Sequence, residues 1–283
     1  MNNQDILVTA EQLAAAGKDP CLRVLDCRFN LLDVNAGRAA YQAAHIPGAV
    51  YVDLNRDLAA PVRPDSGRHP LPDAATAAAT FGRLGVGNDS NVVLYDDQGG
   101  AIAARAWWML RWLGHENVRL LDGGLAAWVA ANFALQQGAF EVPENTFEAR
   151  VQSGWTITVD ELTTMGGDSL RLVDARAAAR FEGELEPVDT LAGHVPGAVN
   201  LPFEHCLEPD GRWRPVEDLR KLWQDVFATG MEAPWSVMCG SGVTACHLAI
   251  SAELAEISRP RLYVGSWSEW IRDPARGVAS GPG

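Results

Sequence analysis

Residues 235–248 read WSVMCGSGVTACHL. An apolar run ends in Cys239, and a helical pattern resumes near Thr244. Between them Gly240, Ser241, Gly242 and Val243 offer small side chains and much backbone. Such residues cannot fill a core. They can curl tightly and aim N–H groups inward at whatever sits on the sulfur, which is how a loop between a strand and a helix binds an anion.

Working outward, the same alternation recurs along the whole chain. RVLD (23–26), NVVLYD (91–96) and VRLLD (118–122) are strand-like in the first half, and RLVD (171–174), WSVMC (235–239) and RLYVG (261–265) answer them in the second. Ala101–Leu113 and Thr244–Leu254 are long enough for helices. Alternating strands and helices imply a parallel sheet with helices on both faces, whose ligands lie beyond the carboxyl ends of the strands. Cys239 stands at one of those ends.

The halves also share wording. RVLDCR at 23–28 returns as RLVDAR at 171–176, HIPGAVYVDL at 45–54 as HVPGAVNLPF at 194–203, and LLDGGLAAW at 120–128 as LYVGSWSEW at 262–270. Thr9-x-x-Gln12 and Thr158-x-x-Glu161 both have the spacing of a capping box. Similarity in constant order at one large offset marks a duplicated domain, not a solenoid. The expected organisation is α/β in two tandem domains, 1–135 and 155–283, joined by a polar linker at 136–154 that lacks periodicity.

Bulk composition narrows the function classes. The 283 residues are 47% hydrophobic and 21% charged, enough for a core in each half. A net charge of −13 argues against general affinity for nucleic acid or anionic membranes, though not against a local anion pocket. No signal peptide or membrane span is expected. Five scattered cysteines do not resemble a disulfide framework and favour a reducing cytoplasm. No motif calls for a metal or other cofactor, and none is expected.

The loop suits a nucleophilic thiolate. With a free-cysteine pKa of about 8.5, half-ionisation at neutral pH needs roughly 2 kcal/mol of differential stabilisation. A helix N-terminus contributes about 0.3–2 kcal/mol, and loop amides with one nearby arginine can supply the rest. Cys21, Cys27, Cys206 and Cys246 read as small buried hydrophobes.

These residues carry a family. The loop CGSGVTA, the VDAR…RF stretch (173–181), the paired H[IV]PGA segments and GSWSEW (265–270) resemble the two-domain rhodanese superfamily over nearly the whole chain. Within it they are most similar to the sulfurtransferases that use 3-mercaptopyruvate or thiosulfate. The resemblance implies that Cys239 takes a sulfane sulfur from a small anionic donor as a persulfide. It then passes the sulfur to a thiol, cyanide or a protein acceptor, including a thioredoxin-like reductant. The backbone of Gly240, Gly242, Val243 and Thr244 would cradle the terminal sulfur. In the first copy Asp96 aligns with Cys239, and a carboxylate cannot form a persulfide, so domain 1 is expected to be non-catalytic.

The same resemblance gives Arg180, in AARF, the donor's anionic group. It joins Ser241 to Asp53 and His69 in a proton relay. Read without it, Arg180 is a surface arginine, His69 a solvated loop histidine and Asp53 a turn-capping carboxylate. Arg176 has a counterpart in Arg28 and reads as a structural ion pair. Arg68, beside His69, could help attract anions. The paired His45 and His194 read as fold-determining, Trp267 and Trp270 as core, and the acidic cluster Glu182–Glu186 as solvated loop. One departure stands out: mercaptopyruvate enzymes commonly carry a second arginine in the sequence EPR, and here position 188 is valine. The basic residues that follow the cysteine in thiosulfate-type loops are absent too.

Two other classes compete. Related phosphatases of the dual-specificity cell-cycle type need an arginine six residues after the cysteine to clamp phosphate, and here that position is Ala245 in a loop one residue shorter. A purely binding pair of domains would leave Cys239 idle.

Overall fold

The computed structural model describes residues 6–165, 171–227 and 234–282. They form two compact units: one gathers the chain up to Ala60, Pro72–Gln152 and Glu208–Trp213, the other Pro61–Leu71, Ser153–Leu207 and Arg214 onward. Each unit holds a five-stranded sheet in which neighbouring strands all run parallel.

In the first unit the strands are β1 (Leu7–Val8), β2 (Leu22–Asp26), β3 (Ala49–Tyr51), β4 (Asn91–Tyr95) and β5 (Val118–Leu121), in the order β1-β5-β4-β2-β3. The second unit has β6 (Thr156–Ile157), β7 (Leu172–Asp174), β8 (Val199–Asn200), β9 (Ser236–Met238) and β10 (Arg261–Tyr263), in the matching order β6-β10-β9-β7-β8. The six strand-like runs of the sequence are β2, β4, β5, β7, β9 and β10. Four further strands, β1, β3, β6 and β8, add two or three residues each at or near the sheet edges.

β4 and β9 are the middle strands of their sheets, which is why their side chains are buried on both faces. The helix after each is buried as well. α5 (Ala103–Trp112) follows β4 and holds Trp107 and Trp108 fully inside the protein, while α10 (Ala245–Leu254) follows β9 and exposes almost nothing. A helix apolar all round belongs inside, and a buried helix fixes the loop leading into it. Both capping boxes form. Thr9 Oγ accepts from the Gln12 amide at 3.2 Å while the Gln12 side chain accepts from the Thr9 amide at 2.9 Å, and Thr158 and Glu161 repeat the exchange at 3.2 and 2.9 Å.

The core of the first unit centres on Val8, Val24, Ile46, Val93, Leu121 and Trp128. That of the second is built on Ile157, Leu172, Phe181, Met238, Trp267 and Trp270, so the two tryptophans are core residues. His45 and His194 are buried and repeat one arrangement: each Nδ1 lies against a backbone carbonyl, Tyr41 at 2.7 Å and Phe181 at 2.8 Å, and each ring stacks on that residue. The polar stretch after residue 135 lies along the first unit, its amides at Asn145, Arg150 and Gln152 donating to the carbonyls of Gly82, Leu113 and Trp112. Among the described residues no helix is long and apolar enough to cross a membrane.

Candidate active site

Cys239 leaves the carboxyl end of β9 buried, with its backbone tied on both sides. Its amide donates to Ser266 Oγ at 3.1 Å, and its carbonyl accepts from the Trp267 amide at 3.0 Å. The Gly240 carbonyl accepts from the Ser268 amide at 2.9 Å. These bonds turn the loop's carbonyls toward α11 (Ser266–Trp270). The amides of Ser241, Val243 and Thr244 have no partner among the described residues, as a loop built to receive an anion requires.

The two glycines do separate jobs. Gly242 has φ +73°, and a Cβ there would lie 2.4 Å from the Val264 carbonyl oxygen, so no side chain fits the turn. At Gly240 the missing atom opens space. A Cβ would meet Nη2 of Arg68 at 3.0 Å, and Nη2 and Nη1 of Arg180 at 3.6 and 3.8 Å.

The first unit shows what such a loop does with an anion. The Asp96 carboxylate, at the end of β4, accepts from the amides of Gln98, Gly100, Ile102 and Ala103 at 2.9, 2.8, 2.8 and 2.9 Å. The Asp96 carbonyl accepts from the Leu125 amide at 3.0 Å, as Cys239 does from Trp267. Burial pushes the Asp96 carboxyl pKa up, and the four amides pull against that shift. This cradle is filled by the chain's own side chain.

Around Cys239 the second unit collects charged and polar groups. His69 Nδ1 lies 2.7 Å from Ser241 Oγ, both residues being buried. Arg180, on the short helix α8 (Ala178–Phe181), holds Glu186 through Nε at 3.1 and 3.0 Å and Nη2 at 2.7 Å, and reaches Asp189 at 3.2 Å. Asp189 also accepts from Arg68. The Glu186 side chain is buried; burial raises its carboxyl, but Arg180 and the amides of Asp189 and Val188 outweigh that and hold it below the ordinary value. For Asp189 burial, with Glu186 adding to it, prevails over Arg68 and Arg180, and its carboxyl stands above the ordinary value.

Of the residues singled out in the sequence, Cys239, Gly240, Ser241, Gly242, Val243, Thr244, His69 and Arg180 are all in the second unit. Asp53 is in the first, where it caps the short helix Leu54–Asp57 by accepting from the amides of Asn55 and Arg56 at 3.0 and 3.1 Å. Arg176 is bound to Asp174 at 2.7 Å and to the Gly193 carbonyl at 2.8 Å, as Arg28 is to Asp26 and Ala44, which makes it an internal ion pair. The acidic cluster does not behave as solvated loop throughout, because Glu186 and Asp189 are the counter-charges of the arginines. The signal for them was present: two carboxylates three residues apart, closely following Arg180.

Residues 9–131 and 158–273 each match the family model described as the rhodanese-like domain. A Pseudomonas aeruginosa protein named "Probable 3-mercaptopyruvate sulfurtransferase" is 50% identical over 97% of this chain and 98% of its own. Human 3-mercaptopyruvate sulfurtransferase is 37% identical over 93% of this chain and 91% of its own. An Escherichia coli crystal structure, described as showing the "Rhodanese" fold and catalytic mechanism of 3-mercaptopyruvate sulfotransferases, superposes with a TM-score of 0.82 at 33% identity, covering 93% of this chain and 99% of that one.

Proposed function

The chain belongs to the rhodanese-like domain family, and from that premise we propose that it transfers sulfane sulfur from a small anionic donor, 3-mercaptopyruvate ahead of thiosulfate, through a persulfide on Cys239. It is a sulfurtransferase. The acceptor is a thiol or cyanide, and the proposal extends to a thioredoxin-like protein thiol and to a cytoplasmic setting in which its five free cysteines stay reduced.

The observation that carries the mechanism is the pair of loops. Where a carboxylate follows β4, four amides hold it; where a thiol follows β9, the amides of Ser241, Val243 and Thr244 are open. In the first half-reaction the Cys239 thiolate attacks the donor sulfur. The carbon–sulfur bond breaks with its electron pair going to carbon, giving the enolate of pyruvate and Cys239–S–S–H. The sulfhydryl proton then passes to that carbon, leaving a persulfide anion and pyruvate. In the second, the acceptor attacks the outer sulfur and the pair in the sulfur–sulfur bond returns to Sγ of Cys239. With thiosulfate the departing pair leaves on sulfite and no proton is needed.

Ser241 and His69 carry the proton in this scheme, with Asp53 as their acidic member, and Arg180 holds the donor's anionic group. The amides from Gly240 to Thr244 hold the outer sulfur. Domain 1 (residues 1–135) is non-catalytic in this reading, because Asp96 fills its cradle; 136–154 links it to the catalytic domain 2 (155–283). Thiosulfate as the main donor is the second reading, favoured by valine at position 188.

Intact mass spectrometry tests the proposal. Incubation with mercaptopyruvate should add about 32 Da (one sulfur), cyanide should remove it, and Cys239→Ser should never acquire it. An unmodified wild-type protein that turns over neither donor would sink the reading.

A further inference from the structure

Among the described residues three besides the glycines have a left-handed backbone: Asn132, Glu256 and Ser266, at φ +58°, +60° and +53°. The first two are exposed, and each follows the end of a helix, Gly124–Ala130 and α10, where that conformation is common. Neither reason applies to Ser266. It is fully buried at the start of α11, with a backbone that glycine would adopt more easily. Strain of this kind persists only where the surroundings enforce it, and it gathers at functional sites.

The hydroxyl shows what the strain secures. Ser266 Oγ donates to the Tyr263 carbonyl at 2.8 Å and accepts from the Cys239 amide at 3.1 Å. It joins the last residue of β10 to the residue that follows β9, just past Leu262 and Val237, where the pairing of those strands ends. The first unit supplies a control. Its Leu125 amide donates to the Asp96 carbonyl as the Trp267 amide does to that of Cys239, both at 3.0 Å, so Gly124 stands where Ser266 stands. Gly124 has φ +56°, and a Cβ on it would lie 2.4 Å from the Asp96 carbonyl oxygen. Asp96 is anchored by its own carboxylate in four amides and needs no further tie. The same left-handed turn carries glycine beside the carboxylate and serine beside the thiol.

We propose that Ser266 is a positioning residue for the nucleophile. This rests on the sulfurtransferase reading above and goes one step past it. The Ser266 hydroxyl takes the Cys239 N–H, the Trp267 amide takes the Cys239 carbonyl, and the sulfur is thereby aimed at the open amides of Ser241, Val243 and Thr244. A thiolate held there is stabilised and meets the donor along one line of attack. A loosened one loses both the amides and the angle. Ser266 touches neither donor nor sulfur in this scheme and acts through the Cys239 backbone.

Two variants remove the hydroxyl and differ in strain: Ser266→Gly relieves the left-handed backbone and Ser266→Ala keeps it. The measurement is single-turnover sulfur uptake from mercaptopyruvate, read by quenched intact mass spectrometry across the pH range of thiol ionisation, with melting temperature alongside. Both variants should take up sulfur about ten- to a hundredfold more slowly at saturating donor. In both, the acid limb of the pH profile should move to higher pH, although Ser266→Gly melts no lower than Ser266→Ala. A merely structural Ser266 predicts uptake that follows melting temperature, with Ser266→Gly close to the wild type and its pH profile unmoved. Should Ser266→Ala fail to fold, Ser266→Gly alone decides. Wild-type uptake in either variant, or slower uptake on an unshifted profile, would overturn the inference while leaving the sulfurtransferase reading intact. Absence of the sulfur adduct in the wild type would overturn both.

Discussion

Nδ1 of His69 lies 2.7 Å from Oγ of Ser241, and both side chains are buried. A hydroxyl two residues after the sulfur nucleophile, bonded to an imidazole, is a route for a proton. The two donors need such a route unequally, because mercaptopyruvate expels pyruvate as an enolate that must be protonated, whereas thiosulfate expels sulfite, which needs no proton. Ser241→Ala should slow kcat with mercaptopyruvate by about 10²–10⁴ and alter thiosulfate turnover much less. Equal indifference of both donors would remove the relay and make thiosulfate the first choice.

A single thiol should carry the chemistry. Cys246 is buried in α10 with its sulfur 3.4 Å from the Gly242 carbonyl, and Cys27 and Cys206 are buried with burial pushing their thiols up, Cys206 to about 12. Neither Cys27 nor Cys206 is poised as a thiolate. Cys239→Ser should abolish turnover and Cys246→Ser should keep most of it, with parallel double-reciprocal plots at several acceptor concentrations. Intersecting lines would mean direct transfer in a ternary complex.

Asp96 offers a separate check on the logic of the two loops. Asp96→Ala strips the acceptor from four amides, of which those of Ile102 and Ala103 are buried and cost about 1–3 kcal/mol each when left unpaired. The melting temperature should drop sharply, while Cys239 still acquires its sulfur in protein that remains folded. A variant that melts like the wild type would show that the carboxylate does not hold that loop.

Much of this was legible beforehand because the chain repeats itself and its central strands are apolar runs ending in Asp96 and Cys239. The capping boxes and the glycine loop are local signals, and local signals survive in sequence. The strands β1, β6 and β8 are two residues long, too short for any periodicity to register. Glu186 and Asp189 are misread from sequence for another reason, although their spacing after Arg180 is visible there. A run of carboxylates ordinarily faces water, and only the arrival of Arg68 from a distant segment turns Asp189 into a bridge.

Asp189 also gives the site a pH dependence. It is faced by Arg68, Arg180 and Glu186, and its carboxyl is held above the ordinary 3.8, first by burial. A raised carboxyl binds its proton more readily in the folded chain. Its ionisation therefore costs stability, a cost absent below the ordinary value and fully present once pH has risen past the raised one. Asp189→Asn should lose that fall in melting temperature. Protonation also removes a negative charge shared by Arg68 and Arg180, so pyruvate should inhibit the wild type more strongly as pH drops toward the raised value. In Asp189→Asn the inhibition should be strong throughout, and an unchanged profile would mean the carboxylate does not compete with the donor.

The last prediction couples Arg68 to position 188. If valine simply left the site one cation short, Val188→Arg would lower the mercaptopyruvate KM of the wild type by the full value of the contact. If Arg68 already supplies that cation, a new guanidinium has less to add, and its benefit should appear mainly where Arg68 is missing. Val188→Arg should therefore lower KM modestly in the wild type and several-fold more in Arg68→Gln. A double-mutant cycle measures the difference directly, because residues that share a ligand are non-additive and independent ones are additive to about 0.3–0.5 kcal/mol. Additive effects on KM would mean that positions 68 and 188 do not serve the same anionic group.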